Sequence, residues 1–424
     1  MDFAVLQQFN TWWVKGEVPQ FFLGSHRRPV FDSVLRYLDK RFIVLLYGLR
    51  RVGKTTVLYQ VVQHLIESGV DPLHILYFSF DERSAAIEDV VSGFEEKVLM
   101  KRIADCGRVF VFFDEVQKVV DWESKVKVLY DLHPNLKIFL SGSASLSLKK
   151  KSAESLAGRI TELFVRPLSF AEFLEWRGGK IDAGRPELFK KEAVPMLMDY
   201  LRKGGFPEIV GEENDEVIRN YVKNAVLEKI LYKDIPEEFS LKDLELLRVL
   251  LELFVKEPGM IVNVERLAKD LGKSKITVGN YIEYLRYSLL VSEVKNLRGN
   301  LLVSSRKAKK IYPTNTAFCF ALLPDFYSDK TLEKIFEVAV ASHISAQYYY
   351  RNGFEVDFVK KTADGETVPI EVKRGSASQH QIKAFLEKFN AKKGVVVSGD
   401  ALAPEKEGIT VQPLWLFLLQ GRFV

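Results

Sequence analysis

Gly48-Leu49-Arg50-Arg51-Val52-Gly53-Lys54-Thr55 meets the spacing GxxxxGK[ST] without a mismatch. Glycines in such a run let the backbone wrap a phosphate, with amides and a helix N-terminus facing the anion. Lys54 is then expected to reach the β- and γ-phosphates, and the Thr55 hydroxyl to bind Mg²⁺. Gly48, Val52, Gly53 and Thr56 complete the expected nucleotide loop. Arg50 and Arg51 either touch nucleotide or cap the sheet edge. A second run, Arg108 to Glu115, ends an apolar strand in two carboxylates. Such a group is costly at the end of a core strand unless a metal or a wet site receives it. Asp114 is expected on Mg²⁺ or one layer behind it, and Glu115 as the base that polarises the attacking water. The competing reading is a pair of acids capping the next helix. Ser141 ends a further apolar run. It contacts the γ-phosphate or the lytic water, or is a plain strand-end serine. Arg159 is a candidate for the γ-phosphate, in cis or on a neighbouring subunit.

These residues need a scaffold. Four short apolar runs precede or follow helical stretches: 42–47, 74–80, 109–113 and 137–140. A helix is expected over 54–68. Short apolar strands separated by helices predict a parallel sheet covered on both faces. From Leu174 the pattern turns helical, with apolar periodicity over 190–202 and 217–232. Asp234 to Glu238 is a polar connector and is placed as a boundary. Three short helices, 241–255, 264–271 and 275–288, then precede an apolar piece at 289–294. That order predicts a winged helix-turn-helix. A helix at 332–348, strands at 354–361 and 367–373, a helix at 379–389 and a strand at 394–398 complete an α/β unit.

Composition narrows the class. The chain has 424 residues, of which 47% are hydrophobic and 28% charged. That is enough for about three domains and excludes wholesale disorder. Cys106 and Cys319 stand far apart, which excludes a disulfide scaffold and a thiolate zinc site. The six histidines form no HxxxH. The N-terminus lacks the basic start and apolar core of a signal peptide, and no apolar run is long enough to span a bilayer. A cytoplasmic protein without a membrane partner is expected.

Net charge is +5, yet it is uneven. Met260 to Tyr312 holds eleven Lys/Arg and four Asp/Glu, a net +7, which leaves −2 for the rest. Lys273, Lys275, Thr277 and Asn280 fall at or near the start of the expected recognition helix. Arg298, Arg306, Lys307, Lys309 and Lys310 lie in or after the expected wing. All nine are candidates for DNA contact. Packing against another domain, with solvated charges, is the alternative.

The last segment carries a further pattern. Glu355 and Asp357 share one face of a strand, as do Glu371 and Lys373 after the turn at 363–365. A hairpin brings Asp357, Glu371 and Lys373 together, and Glu337 joins from the preceding helix. This resembles the D…ExK constellation of the PD-(D/E)xK nuclease fold. The acids would hold Mg²⁺ or Mn²⁺, and Lys373 would orient the water. An exposed hairpin with cross-strand ion pairs, or an inactive nuclease fold, is the alternative.

Several further runs match one group. They are Gly48 to Thr56, Phe113 to Gln117, Leu140 to Ser143, Leu156 to Arg159, Arg166 to Phe173, Gly204 to Glu208, Lys233 to Ile235 and Thr277 to Ile282. Together they resemble archaeal and bacterial AAA+-type ATPases with a C-terminal domain of uncharacterised function. The resemblance implies a multidomain α/β chain. A P-loop NTPase (AAA+-like) parallel-sheet core would occupy 1–173 and a helical lid 174–235. A winged helix would follow at 236–325 and an α/β PD-(D/E)xK nuclease-like domain at 326–424. ATP and Mg²⁺ are the expected cofactors, DNA the expected partner and a homo-oligomer the expected assembly. ATP hydrolysis would drive DNA remodelling or cleavage. A nucleotide-gated switch and a transcription-regulator-like protein are the alternatives.

Overall fold

The computed structural model describes residues 1–143, 156–297, 309–362, 364–375 and 379–420. It divides into two compact units, Met1–Arg166 and Pro167–Val424.

In the first unit, β1 (Ile43–Gly48), β2 (Ile75–Ser79), β3 (Val109–Asp114), β4 (Leu136–Ser143) and β5 (Ile160–Phe164) form one sheet. The order is β2-β3-β4-β1-β5 and every pairing is parallel. The four strands read from the sequence are present, because each is an apolar run rich in β-branched and aromatic residues, buried on both faces. β5 was not expected. Its residues are half-buried or exposed along an edge, so it lacks the apolar run that marks the others. The helix Lys54–Glu67 carries the chain from β1 towards β2, while β5 returns on the other side of β1. Strand order therefore reverses at β1, and parallel sheets bind ligands beyond the carboxyl ends at such a point.

The outer edge of β2 is covered by side chains from the N-terminal segment. After the helix Phe3–Phe9, Asn10 Nδ2 donates to the Tyr77 carbonyl at 2.9 Å, and the Tyr77 amide donates to Asn10 Oδ1 at 2.6 Å. Trp12 and Trp13 indole nitrogens both donate to the Ile75 carbonyl. One side chain thus does the work of a neighbouring strand. Asn10 is fully buried. Asn10→Leu leaves the Tyr77 amide and carbonyl without these partners. At ~1–3 kcal/mol per orphaned group, we expect the first unit to lose about 2–4 kcal/mol in a urea titration. A loss under about 0.5 kcal/mol would show that the edge finds other partners.

The second unit begins with helices. Phe170–Trp176 starts in a capping box between Ser169 and Glu172. Pro186–Lys203 and a helical run from Asp215 to Phe239 follow. The Asp234–Glu238 connector read from the sequence lies inside that run. Ile235 is buried and anchors it. The helices Leu244–Lys256, Val264–Asp270 and Lys275–Tyr287 form as expected, each with a side-chain cap from Asp243, Asn263 or Ser274.

Nine strands of this unit form one sheet: β6 (Met260–Val262), β7 (Val291–Asn296), β8 (Lys309–Pro313), β9 (Tyr348–Arg351), β10 (Glu355–Lys361), β11 (Thr367–Lys373), β12 (Gly394–Ser398), β13 (Ala403–Lys406) and β14 (Ile409–Pro413). Their order is β13-β14-β12-β11-β10-β9-β7-β8-β6. β7 pairs with β9 in parallel at Lys295–Tyr348 and Asn296–Tyr349. The 325/326 boundary thus falls within a single unit whose strands on both sides share hydrogen bonds. β6, β9, β13 and β14 were not read from the sequence.

Among the described residues no helix is long and apolar enough to cross a membrane.

Candidate functional site

Tyr47 and Gly48 end β1, and Lys54 opens the following helix. Two glycines of the loop have different reasons. Gly53 has φ +90° with open space around it, so its need is conformational. Gly48 is a matter of close approach. A Cβ there would lie 2.2 Å from the Val165 carbonyl oxygen, just past β5. The sequence reading gave Gly48 to phosphate wrapping; its glycine is required by the neighbouring strand. Arg51 also takes a left-handed conformation, φ +64°. Arg50 Nη2 lies 3.6 Å from Asp81. Thr55 and Thr56 are half-buried on the first helical turn. Lys54 is buried and its Nζ donates to the Gly48 and Leu49 carbonyls at 3.3 and 3.0 Å. Val52 is buried, and its carbonyl accepts from Arg28 Nη1 at 3.0 Å. The same Arg28 nitrogen donates to the Arg166 carbonyl at 2.7 Å. Arg28 therefore ties the loop to the end of β5, a role that a lone arginine upstream did not advertise.

Asp114 is buried at the end of β3 and accepts from three hydroxyls: Thr55 at 2.7 Å, Tyr77 at 2.8 Å, and Ser141. Burial pushes its carboxyl up and the Glu115 charge adds to this, while the three hydroxyls oppose it. Glu115 is a non-glycine in the left-handed region, φ +54°. Such a residue costs of order 1–2 kcal/mol, and strain of this kind collects at working sites. Its amide donates to Ser141 Oγ at 3.3 Å, Gln117 Nε2 donates to its carboxylate, and Lys54 Nζ lies 3.9 Å away. The helix-cap reading fails, since Glu115 makes no side-chain cap for the short helical turn that follows. Thr55 Oγ1 and Asp114 Oδ2 are hard oxygen donors 2.7 Å apart at a helix start, which fits Mg²⁺.

Two sequence readings are corrected. Ser141 is fully buried with its hydroxyl committed to Asp114, so it positions the carboxylate rather than meeting phosphate. Arg159 cannot serve the phosphate loop of its own chain. Its carbonyl accepts from the Ile43 amide at 2.8 Å, at the amino end of β1, and β5 then runs parallel to β1. The loop lies at the carboxyl end, six residues or roughly 17 Å away along the strand. Arg159 instead pairs with Asp131 at 3.0 Å. Tyr77 was missed: its hydroxyl serves Asp114, yet it sits in an apolar strand that reads as core.

In the second unit, the expected acidic residues do meet. The Asp357 amide donates to Glu371 Oε2 at 3.3 Å, and Lys373 Nζ lies 2.9 Å from Glu371 Oε1. Asp357 accepts from the Val372 amide at 2.9 Å. Glu337, on the helix Asp329–Ile344, accepts from the Tyr312 hydroxyl at 3.0 Å. Lys310 is the correction. It was placed among DNA-contacting residues, but it is buried, with Nζ 2.7 Å from Glu355 and 4.0 Å from Asp357. In a flat sheet β8 and β10 would stand about 14 Å apart, three strand spacings. The Tyr312 and Phe358 rings nevertheless lie 5.4 Å apart, so the sheet curls and brings β8 over β10.

Burial pushes the Glu337 carboxyl up to about 8, helped by Asp357 and opposed by Lys310, Tyr312 and Lys373. Glu371 is pushed up to about 7, again mainly by burial and then by Asp357. An acid held above its unfolded value of 4.5 binds its proton more tightly when folded. The folded state then binds more protons than the unfolded one, so stability falls as pH rises from 4.5 to about 8. Glu337→Gln should flatten that slope. Against the wild type, the variant should gain stability at about pH 8 and much less at about pH 5. Identical slopes in thermal melts would show that Glu337 does not titrate there.

Of the other DNA candidates, Lys275, Thr277 and Asn280 lie on the helix Lys275–Tyr287, Lys273 just before it, and Lys309 at the start of β8. Lys273 pairs with Asp243 at 2.7 Å, Lys275 with Glu265 at 3.4 Å, and Lys309 with Glu293 at 2.6 Å. Thr277 shares a hydrogen bond with Ser274 in the helix cap, and Asn280 is exposed. Arg298, Arg306 and Lys307 lie outside the described residues.

Comparison with known proteins adds the following. Residues 40–174 match an AAA domain, 195–329 a domain of unknown function (DUF8612) and 332–417 another (DUF4143). Two uncharacterized proteins of Methanocaldococcus jannaschii are similar. One is 26% identical, covering 81% of this chain and 78% of the relative, and the other is 28% identical, covering 88% and 84%. An uncharacterized protein of Haemophilus influenzae is 25% identical over 64% of this chain and 68% of its own. The solved structure of C. elegans PCH-2 aligns at 17% identity over 43% of this chain and 53% of that one, with a TM-score of 0.27, too low to carry an argument. The matched AAA segment contains the whole phosphate loop, Asp114, Glu115 and Ser141, and it supports an AAA-type ATPase family for the amino-terminal part of the chain.

Proposed function

We propose that the chain binds ATP with Mg²⁺, hydrolyses it, and contacts DNA through its second unit. One observation carries the ATPase reading: Lys54, Thr55, Asp114 and Glu115 converge beyond the carboxyl ends of β1 and β3. Lys54 and the loop amides would neutralise the phosphates. Thr55 and Asp114 would hold Mg²⁺, which supplies charge neutralisation across the phosphate oxygens. Glu115 takes a proton from the attacking water as its oxygen bonds the γ-phosphorus and ADP leaves. Asp114 is kept in place by Tyr77 and Ser141 throughout. Arg159 is left a role only in trans, in a homo-oligomer.

DNA contact is supported by the +7 segment and by exposed Lys273, Lys275, Ile276 and Asn280 around one helix start. The ion pairs there are exposed, and such pairs are worth ~0–1 kcal/mol, which a phosphate can outcompete. The test is phosphate release by the full chain with Mg-ATP, with and without duplex DNA, at two salt concentrations. Lys54→Ala should abolish turnover, and DNA should raise wild-type turnover more at low salt. Turnover that persists in Lys54→Ala would sink the ATPase reading, and salt-insensitive DNA affinity the phosphate contacts. A second reading, a nucleotide-gated switch with a non-cutting nuclease-like cluster, is favoured by Lys310 among the carboxylates.

A further inference from the structure

The D…ExK pattern raises the question of a divalent cation in the second unit, and the residues there do not fit one. Each carboxylate already has a partner. Glu337 accepts from Tyr312, and Glu355 is paired with Lys310 at 2.7 Å and with Arg351 at 3.4 Å. Asp357 takes the Val372 amide, and Glu371 takes Lys373 and the Asp357 amide. Among the described residues no three His, Cys, Asp or Glu side chains converge as a metal cage. What does enter is an ammonium.

We propose that Lys310 is the resident cation of this acidic cluster: its ammonium takes the place of a divalent ion, and the native chain excludes Mg²⁺ and Mn²⁺ there. Three observations carry this. Lys310 is buried, and a buried ammonium is costly unless paired. Its nitrogen faces Glu355 and Asp357 and lies 5.2 Å from the centre of the Tyr349 ring, a cation–π contact. It arrives from β8, and Tyr312 on the same face of that strand supplies the partner of Glu337. One strand therefore serves three of the four acids. Mg²⁺ keeps most of its waters and needs only one or two carboxylates, so what bars it here is the ammonium itself, whose charge already stands where Glu355 and Asp357 face. Removing the ammonium leaves acids without their charge partner, which is the chemistry that draws a divalent ion in.

This inference depends on neither ATP turnover nor DNA contact. It is tested on the full chain, without nucleotide, by titrating Mn²⁺ and following the free ion by electron paramagnetic resonance. The wild type should bind no equivalent of Mn²⁺ that Asp357→Asn removes. Lys310→Met should gain one equivalent, at least tenfold tighter than any in the wild type, and lose it again in Lys310→Met with Asp357→Asn. Two results would overturn the proposal: an Asp357-dependent equivalent in the wild type, or a folded Lys310→Met that gains none. Circular dichroism reports whether Lys310→Met folds. If it does not, the wild type against Asp357→Asn decides alone, since an Asp357-dependent equivalent there already refutes the seat's exclusion of metal and its lack supports it.

Discussion

Glu115→Gln should retain nucleotide and lose turnover by about 10²–10⁴-fold, the range for removing a positioned general base. The amide keeps the size of the side chain and can still accept from Gln117. It cannot take a proton from water. The left-handed backbone at Glu115 donates its N–H to Ser141 Oγ, a hydrogen bond that the side-chain substitution leaves in place, so the loop is not disturbed. Asp114, Thr55 and Lys54 remain, and these would carry nucleotide affinity. Equilibrium binding of a fluorescent ATP analogue together with single-turnover hydrolysis separates the two effects. Turnover within threefold of the wild type would mean that another group takes the proton, and the base would have to be sought elsewhere.

Gly48→Ala should be the most damaging single-methyl change in the first unit. The added carbon would sit 2.2 Å from the Val165 carbonyl oxygen and 3.2 Å from its carbon. That neighbour is backbone, fixed by the Val165 amide donating to the Tyr47 carbonyl at 2.8 Å, so it cannot swing aside like a side chain. Overpacking costs about 1–3 kcal/mol where side chains can adjust, and a backbone contact belongs at the top of that range. β5 must move off β1, and Arg166 follows it. Arg28 bridges Arg166 and Val52, so the phosphate loop is disturbed as well. We expect a lower denaturant midpoint together with nucleotide affinity down more than about tenfold, or ~1.4 kcal/mol. Gly53→Ala separates the two causes. It strains φ without a clash, so it should weaken nucleotide binding with a smaller loss of stability. Equal midpoints for Gly48→Ala and the wild type would refute the strand-contact account.

Residues that act through contiguous spacing could be read from the sequence. The phosphate loop is a contiguous run of fixed spacing, and Asp114 and Glu115 stand out because an apolar strand ends in two carboxylates. Asp357, Glu371 and Lys373 were legible for a similar reason, since strand alternation sets which residues share a face. Residues that act across sequence were not. Arg28 joins Val52 to Arg166, and Tyr77 reaches Asp114 from another strand, links that no local pattern encodes. Lys310 was misread because a charge count cannot distinguish a solvated lysine from one buried against acids. A signal was present: Lys310 and Tyr312 share a strand face, and two polar tips on a face that packs inward need polar company. Arg159 was misread because β5 was not seen, and without β5 the direction of its strand was unknown. The curl that brings β8 over β10 depends on two hydrogen-bonded pairs between β7 and β9, too little to leave a trace in composition.

The covering of β2 by Asn10, Trp12 and Trp13 makes the two flanks of the first sheet chemically unequal. On the β2 side the strand's outward amides and carbonyls at Ile75 and Tyr77 already have partners, so another strand has no template to add to there. The other flank ends in β5, whose residues are mostly half-buried, with Arg159 at its base paired to Asp131. The N-terminal segment thus acts as a built-in stop: strand addition at β2 would first have to break four side-chain hydrogen bonds to Ile75 and Tyr77.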